Sequence, residues 1–280
     1  VDLNQYEVID EKVTEGARFR ILQQRELKGS SDVRSAEQLF FLTSAGMRLK
    51  TVQVTLNRGR IRNEPGALHY MHGRLEMSAS TGGGIMRGLT RKVLSGESFF
   101  VSEISGTGEV FLEPTFGHFL LVEIDDDEVI VDRSMFYAGS GALDISAVAQ
   151  RNVSSALLGG EGLFQTRIKG SGVAVLFSPV PMSELRIVEL QDETLQVDGN
   201  FALLRTGEIS FSVEKSAKTW LSTSVSGEGL LQTFRGTGQV WLAPTQGVYD
   251  RLATPDGLAA LAGPGGSMGT RTSSGQPNGR

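Results

Sequence analysis

The chain has 280 residues, no cysteine, 35 glycines, and 27 Lys and Arg against 32 Asp and Glu, for a net charge of −5. The absence of cysteine excludes disulfides, thiolate metal sites and a Cys nucleophile, and the acidic balance runs against the basic footprint of a dedicated DNA binder. Average usage of about 7 % would give roughly 20 glycines, so the excess needs a cause, and no apolar run approaches the ~20 residues that span a bilayer.

The opening Val1-Asp2-Leu3-Asn4-Gln5 lacks the charged-then-apolar layout of a signal peptide, which predicts a cytoplasmic chain. Residues 1–46 read as an N-terminal extension. Within it Ser35-Ala36-Glu37-Gln38-Leu39-Phe40-Phe41-Leu42 carries a Ser-x-x-Gln capping box and a short apolar face, with Gly46 as a stop, predicting one short helix.

Beyond it the sequence repeats three times. Gly-Glu blocks begin at Gly96, Gly160 and Gly227, and each leads to a Gly-x-Gly: Gly106-Thr107-Gly108, Gly170-Ser171-Gly172 and Gly236-Thr237-Gly238. Short apolar runs then end at Pro114, Pro179 and Pro244. Upstream, Leu56 to Gly73, Ile124 to Gly141 and Leu190 to Gly207 align without a gap. The unit is about 66 residues, which divides the chain into repeats at 47–117, 118–182 and 183–250 and a Gly- and Ser-rich flexible tail at 251–280.

Inside a unit the pattern is that of strands. Val52-Gln53-Val54-Thr55-Leu56 alternates with period two, as does Leu185 to Leu190. Polar tips follow at Asn57-Arg58-Gly59, Asp125-Asp126-Asp127 and Gln191-Asp192-Glu193, and apolar positions resume at Ile61, Val129 and Leu195, which predicts a hairpin in each copy. The Gly-x-Gly fits a tight turn or bulge, and the proline closes a strand. The expected fold is all-β: three tandem β-sandwich repeats packed with pseudo-threefold symmetry, since a unit this small buries little alone.

Gly82-Gly83-Gly84-Ile85-Met86-Arg87-Gly88-Leu89, Leu94-Ser95-Gly96-Glu97-Ser98-Phe99-Phe100, Gly108-Glu109-Val110-Phe111-Leu112-Glu113-Pro114 and the two later Gly-Glu-Gly-Leu blocks together resemble the AIM24 family. The resemblance runs from about Gly29 to Tyr249. It implies three β-sandwich units like those of the tryptophan RNA-binding attenuation protein, and mitochondrial relatives of the family are associated with inner-membrane organisation. Acidic Asp2, Glu7, Asp10 and Glu11 depart from a mitochondrial transit peptide, so a bacterial, cytoplasmic member is expected.

Catalytic and metal constellations are not expected. His69 and His72 are offset by three on a strand and so face opposite ways, and His118 has no acid or second His near it in sequence. The acidic run at residues 123–128 lacks the spaced ligands of a calcium loop and reads as a solvated turn. Glu97, Glu161 and Glu228 follow Gly96, Gly160 and Gly227. Their recurrence fits turn chemistry, with each carboxylate accepting backbone N–H groups, better than a catalytic acid needed three times.

The candidate interaction surface combines apolar and basic residues of the first connection, Arg87, Leu89, Arg91 and Lys92, with Arg151 of the second and Lys215, Lys218 and Trp220 of the third. The expected function is a non-enzymatic binding or scaffold protein without a cofactor. It would present a composite face to a protein partner, with peripheral membrane contact through basic residues and a homo-oligomer left open. Small-ligand or RNA binding is the alternative, by fold analogy alone. Few aromatics and a negative charge disfavour nucleic acid.

Overall fold

Alternating Val52, Val54 and Leu56 do form a strand, but it continues well past the polar segment that follows. In the computed structural model, which describes residues 3–81, 100–132, 134–149, 164–215, 230–257 and 261, the strand β3 spans Lys50–Asn63. The preceding extension contributes a hairpin, β1 (Tyr6–Thr14) and β2 (Ala17–Gln24), and the helix α1 (Val33–Ser44). After β3 come β4 (Leu68–Thr81), β5 (Phe100–Leu112), β6 (His118–Asp132), β7 (Phe136–Ser140), β8 (Asp144–Ala149) and β9 (Phe164–Ser178). The chain closes with β10 (Arg186–Asp198), β11 (Ala202–Thr206), β12 (Glu208–Lys215), β13 (Leu230–Leu242) and a second short helix, α2 (Gln246–Leu252). The described chain is therefore predominantly β, an open antiparallel sheet in the order β1-β2-β3-β7-β9-β6-β11-β13-β10, with β4, β5, β8 and β12 paired beside that path.

The predicted hairpin tips are β-bulges inside single long strands. Arg58, Asp126 and Asp192 each adopt positive φ (52°, 48° and 58°), and the register of β3 with β5, β6 with β9 and β10 with β13 slips at those points. The Gly-x-Gly segments lie mid-strand directly across from the bulges. Their central hydroxyls accept the bulge N–H: Arg58 to Thr107 Oγ1 at 2.9 Å, Asp126 to Ser171 Oγ at 3.0 Å and Asp192 to Thr237 Oγ1 at 3.1 Å. A bulge leaves one residue out of the ladder, and a hydroxyl on the facing strand satisfies the orphaned donor. Alternation with a polar interruption looks the same for a hairpin and a bulged strand, which is why periodicity alone misassigned them. The acidic run likewise lies in β6, around its bulge, rather than in a turn. β5, β9 and β13 end two or fewer residues before Pro114, Pro179 and Pro244, as expected of a residue with no N–H to give.

The helix also starts earlier than expected. Asp32, with extended backbone, is the N-cap, and its carboxylate accepts the Ser35 N–H at 3.0 Å, so Ser35 is capped rather than capping. Its end is as read: Gly46 at φ +79° follows the last turn, with Met47 N–H donating to Leu42 O and Gly46 N–H to Thr43 O. The β1–β2 hairpin and α2 were not foreseen. Gly16, also at positive φ, makes the β1–β2 turn, and β2 lies along the first half of β3 with Ala17 opposite Leu56.

Packing joins strands far apart in the chain. One core joins Phe19 and Ile21 of β2 and Ile104 of β5 with Phe119 and Leu121 of β6 and Val175 of β9. A second joins Val129 of β6, Phe136 of β7 and Leu176 of β9 with Leu203 and Leu204 of β11 and with Ala243. A third core gathers Leu190 of β10, Phe211 of β12 and Phe234 of β13. Each fully buried Phe or Leu is worth about 1.5–3 kcal/mol.

Candidate functional site

Most of the sequence-predicted surface falls where the structure makes no description. Arg87, Leu89, Arg91, Lys92, Arg151, Lys218 and Trp220 lie outside the described residues, as do Gly96, Glu97, Gly160, Glu161, Gly227 and Glu228. Lys215 ends β12, its backbone paired with Leu230. His69 and His72 stand on exposed β4, where His69 meets Tyr70 edge-on at 5.4 Å.

A cleft of about 1450 Å³ opens between the first two bulges. Arg58 and Arg60 of β3 line it together with Glu15 of the β1–β2 turn and Glu123 and Asp125 of β6. Glu123 is held by Lys12 at 2.9 Å, and Arg60 reaches toward Glu103 at 3.7 Å. Charged side chains of both signs make this a wall for polar groups, able to offer hydrogen bonds and ion pairs.

A second cluster gathers His118, Lys50 and Glu184. Lys50 is buried, with Nζ donating to the carbonyls of Arg48 and Gly117, and burial lowers its pKa. His118, at the start of β6, has its pKa lowered by burial first and by the Lys50 charge second, with Glu184 opposing. Glu184 accepts from Thr245 Oγ1 at 2.5 Å and Tyr249 Oη at 2.9 Å, which ties α2 to the start of β10. These partners were missed from sequence. The signal was available: Lys50, His118 and Glu184 stand six residues before Leu56, Ile124 and Leu190, the residues that open the gapless alignment.

The third feature is α1. None of its residues is buried, and Val33, Phe40 and Phe41 are 85 %, 64 % and 62 % exposed, with Phe40 and Phe41 edge-to-face at 5.5 Å. Sequence reasoning recognised this apolar face but not that it stays outward. Apolar periodicity reports a face and not what covers it.

Among the described residues no group of three or more His, Asp or Glu is arranged to hold a metal ion, and no helix is long and apolar enough to cross a membrane. Comparison with known proteins gives an uncharacterized protein of Streptococcus pyogenes serotype M6, 23 % identical over 213 residues, spanning 72 % of this chain and 84 % of the relative. A crystal structure of a Streptococcus pyogenes protein shares the fold at a TM-score of 0.54 and 20 % identity, covering 84 % of this chain and all of that one. The family model described as "Mitochondrial biogenesis AIM24" matches residues 42–245, and the chain belongs to the AIM24 family.

Proposed function

We propose that this AIM24 protein is a non-catalytic binding scaffold whose tandem repeats form a rigid platform and whose helix α1 docks a protein partner. The observation that carries this is the outward apolar face of α1, Val33, Phe40 and Phe41, with Met47 just beyond its end. Such a cluster costs solubility unless something covers it. The helix carries Arg34 and Glu37, which cancel, so charge attraction to anionic lipid is not its driving force. That favours a protein with an apolar groove, met in the helix-in-groove manner.

A Phe40→Asp/Phe41→Asp variant tests this. Both residues are exposed, so the fold is expected to hold. Quantitative affinity capture from the native cells should recover a partner with the wild type that the variant loses at least tenfold. Identical capture profiles would sink the proposal. Flotation with anionic liposomes, repeated for an Arg87/Arg91/Lys92→Ala variant, separates the peripheral-membrane branch. The cleft between the bulges favours a second reading, a small polar ligand of mixed charge, for which Arg58→Ala and Arg60→Ala should lower affinity without changing melting.

A further inference from the structure

Neighbouring units are joined by one kind of strand addition, used twice. At the first junction β7 lies on β3, with Ile61, Arg62 and Asn63 opposite Ser140, Gly139 and Ala138. At the second β11 lies on β6, with Val129, Ile130 and Val131 opposite Thr206, Arg205 and Leu204. Because Leu56, Ile124 and Leu190 are equivalent, these are the same positions in the same register. The acceptor is the second half of a long bulged strand, and the donor is the short strand ahead of Gly141 or Gly207.

The array therefore has a spare acceptor, β10, and a spare donor, β4. Among the described residues β10 pairs with β13 and β4 with β5, each on one edge only. Burial records the vacancy. Ala138 and Gly139, and their equivalents Leu204 and Arg205, are buried, whereas Tyr70 and Met71 are 44 % and 37 % exposed. Val129 and Ile130 of β6 are buried and half-buried, whereas their equivalents Leu195 and Gln196 of β10 are half-buried and exposed; Val131 and Val197 are buried in both. An unpaired strand edge presents a row of N–H and C=O groups that templates further pairing.

We propose that β4 of one copy docks on β10 of a second copy, head to tail, in the register of the two internal junctions. His72, Met71 and Tyr70 then stand opposite Leu195, Gln196 and Val197. The first junction extends through backbone bonds from Gly141 N to Arg60 O and from Glu64 N to Tyr137 O. The same extension places His69 opposite Asp198, and one step past the other end Arg74 faces Glu193. All four are exposed, and Arg74 against Glu193 pairs opposite charges where like charges would repel. The occupant is a second copy because this edge pattern is one the chain itself already matches twice. Such a heterologous contact grows into a ring if the rotation closes and a filament if it does not.

Light scattering behind size exclusion, over a concentration series at low salt, tests the proposal. Each junction would set residue 71 of one copy against residue 196 of the next. The wild type should gain mass with concentration. Met71→Lys/Gln196→Lys should weaken association by about fivefold or more, and Met71→Lys/Gln196→Glu should restore it. Circular dichroism and melting confirm that both variants fold. A wild type that stays monomeric at every concentration, including one whose own ends close on each other, overturns the proposal. So does assembly that the Lys/Lys pair leaves unchanged, or a loss that the Lys/Glu pair does not repair.

Discussion

The N–H of Arg58, a non-glycine residue held at φ +52°, donates to the Thr107 hydroxyl at 2.9 Å across the β3–β5 pair. The hydroxyl satisfies a donor that the bulge removes from the ladder, and a net hydrogen bond of this kind is worth about 1 kcal/mol. Thr107→Val keeps shape and removes the acceptor, so it should lower the urea midpoint by an amount equivalent to about 1 kcal/mol. Thr107→Ser should match the wild type. Equal losses in both would show that the methyl, and not the hydroxyl, matters.

Gly236 faces a different constraint. At φ +133° a side chain is strained, and a Cβ there would lie 2.0 Å from the Glu208 carbonyl oxygen, where β12 crosses close to β13. Gly236→Ala should cost about 2–4 kcal/mol, because the obstacle is backbone and cannot swing aside. Gly29, with open space around it, is the control, and its Ala variant should stay within about 0.5 kcal/mol of wild type. Chemical unfolding of the pair checks the contrast.

These two positions show what the sequence could and could not reveal. The recurrence of Gly-x-Gly marked three places of special backbone, and the structure puts Gly106, Gly170 and Gly236 at positive φ. The strand assignments around Val52 and Leu190 followed from period-two alternation. Whether the polar interruption turned the chain back or only bulged it did not, since the partner that decides, Thr107 or Ser171, lies more than forty residues away. The outward face of α1 was hidden for the same reason. It depends on what neighbouring elements cover, which no local pattern records.

Acid stability should depend on Glu214. Arg235 grips its carboxylate at 2.6 and 3.0 Å, with Ser212 Oγ donating at 2.8 Å, and these bonds hold the carboxyl at about 2, down from an ordinary 4.5. A pKa lower in the folded state means the unfolded chain takes up the proton first. The contribution is therefore complete above about pH 4.5 and is lost as pH falls toward 2. Arg235→Gln should flatten the fall in melting temperature across that window while leaving the slope above pH 5 unchanged. The pair is solvent-exposed, so high salt should reduce the difference. An unaltered acid limb would remove the pair from the account.

Arg205 tests whether a buried cation stabilises this sheet or is tolerated by it. It is 5 % exposed on β11, lies 5.4 Å from the Phe211 ring centre, and donates through Nη1 to Gln165 Oε1 at 2.7 Å. Its Nε has no hydrogen-bond partner, and burial pushes its pKa down to about 10, with Glu128 only partly opposing. Removing a guanidinium from water is costly, and one cation-π contact with one neutral hydrogen bond offsets little of that cost. The aliphatic stem, by contrast, fills space beside Phe211 and the third core. Arg205→Met retains that volume and should leave stability unchanged or raise it by about 1 kcal/mol, while Arg205→Ala should lose about 2–3 kcal/mol through the cavity it leaves. If the Met variant falls as far as the Ala variant in thermal unfolding, the charge and its bond to Gln165 hold β11 in place, and packing does not.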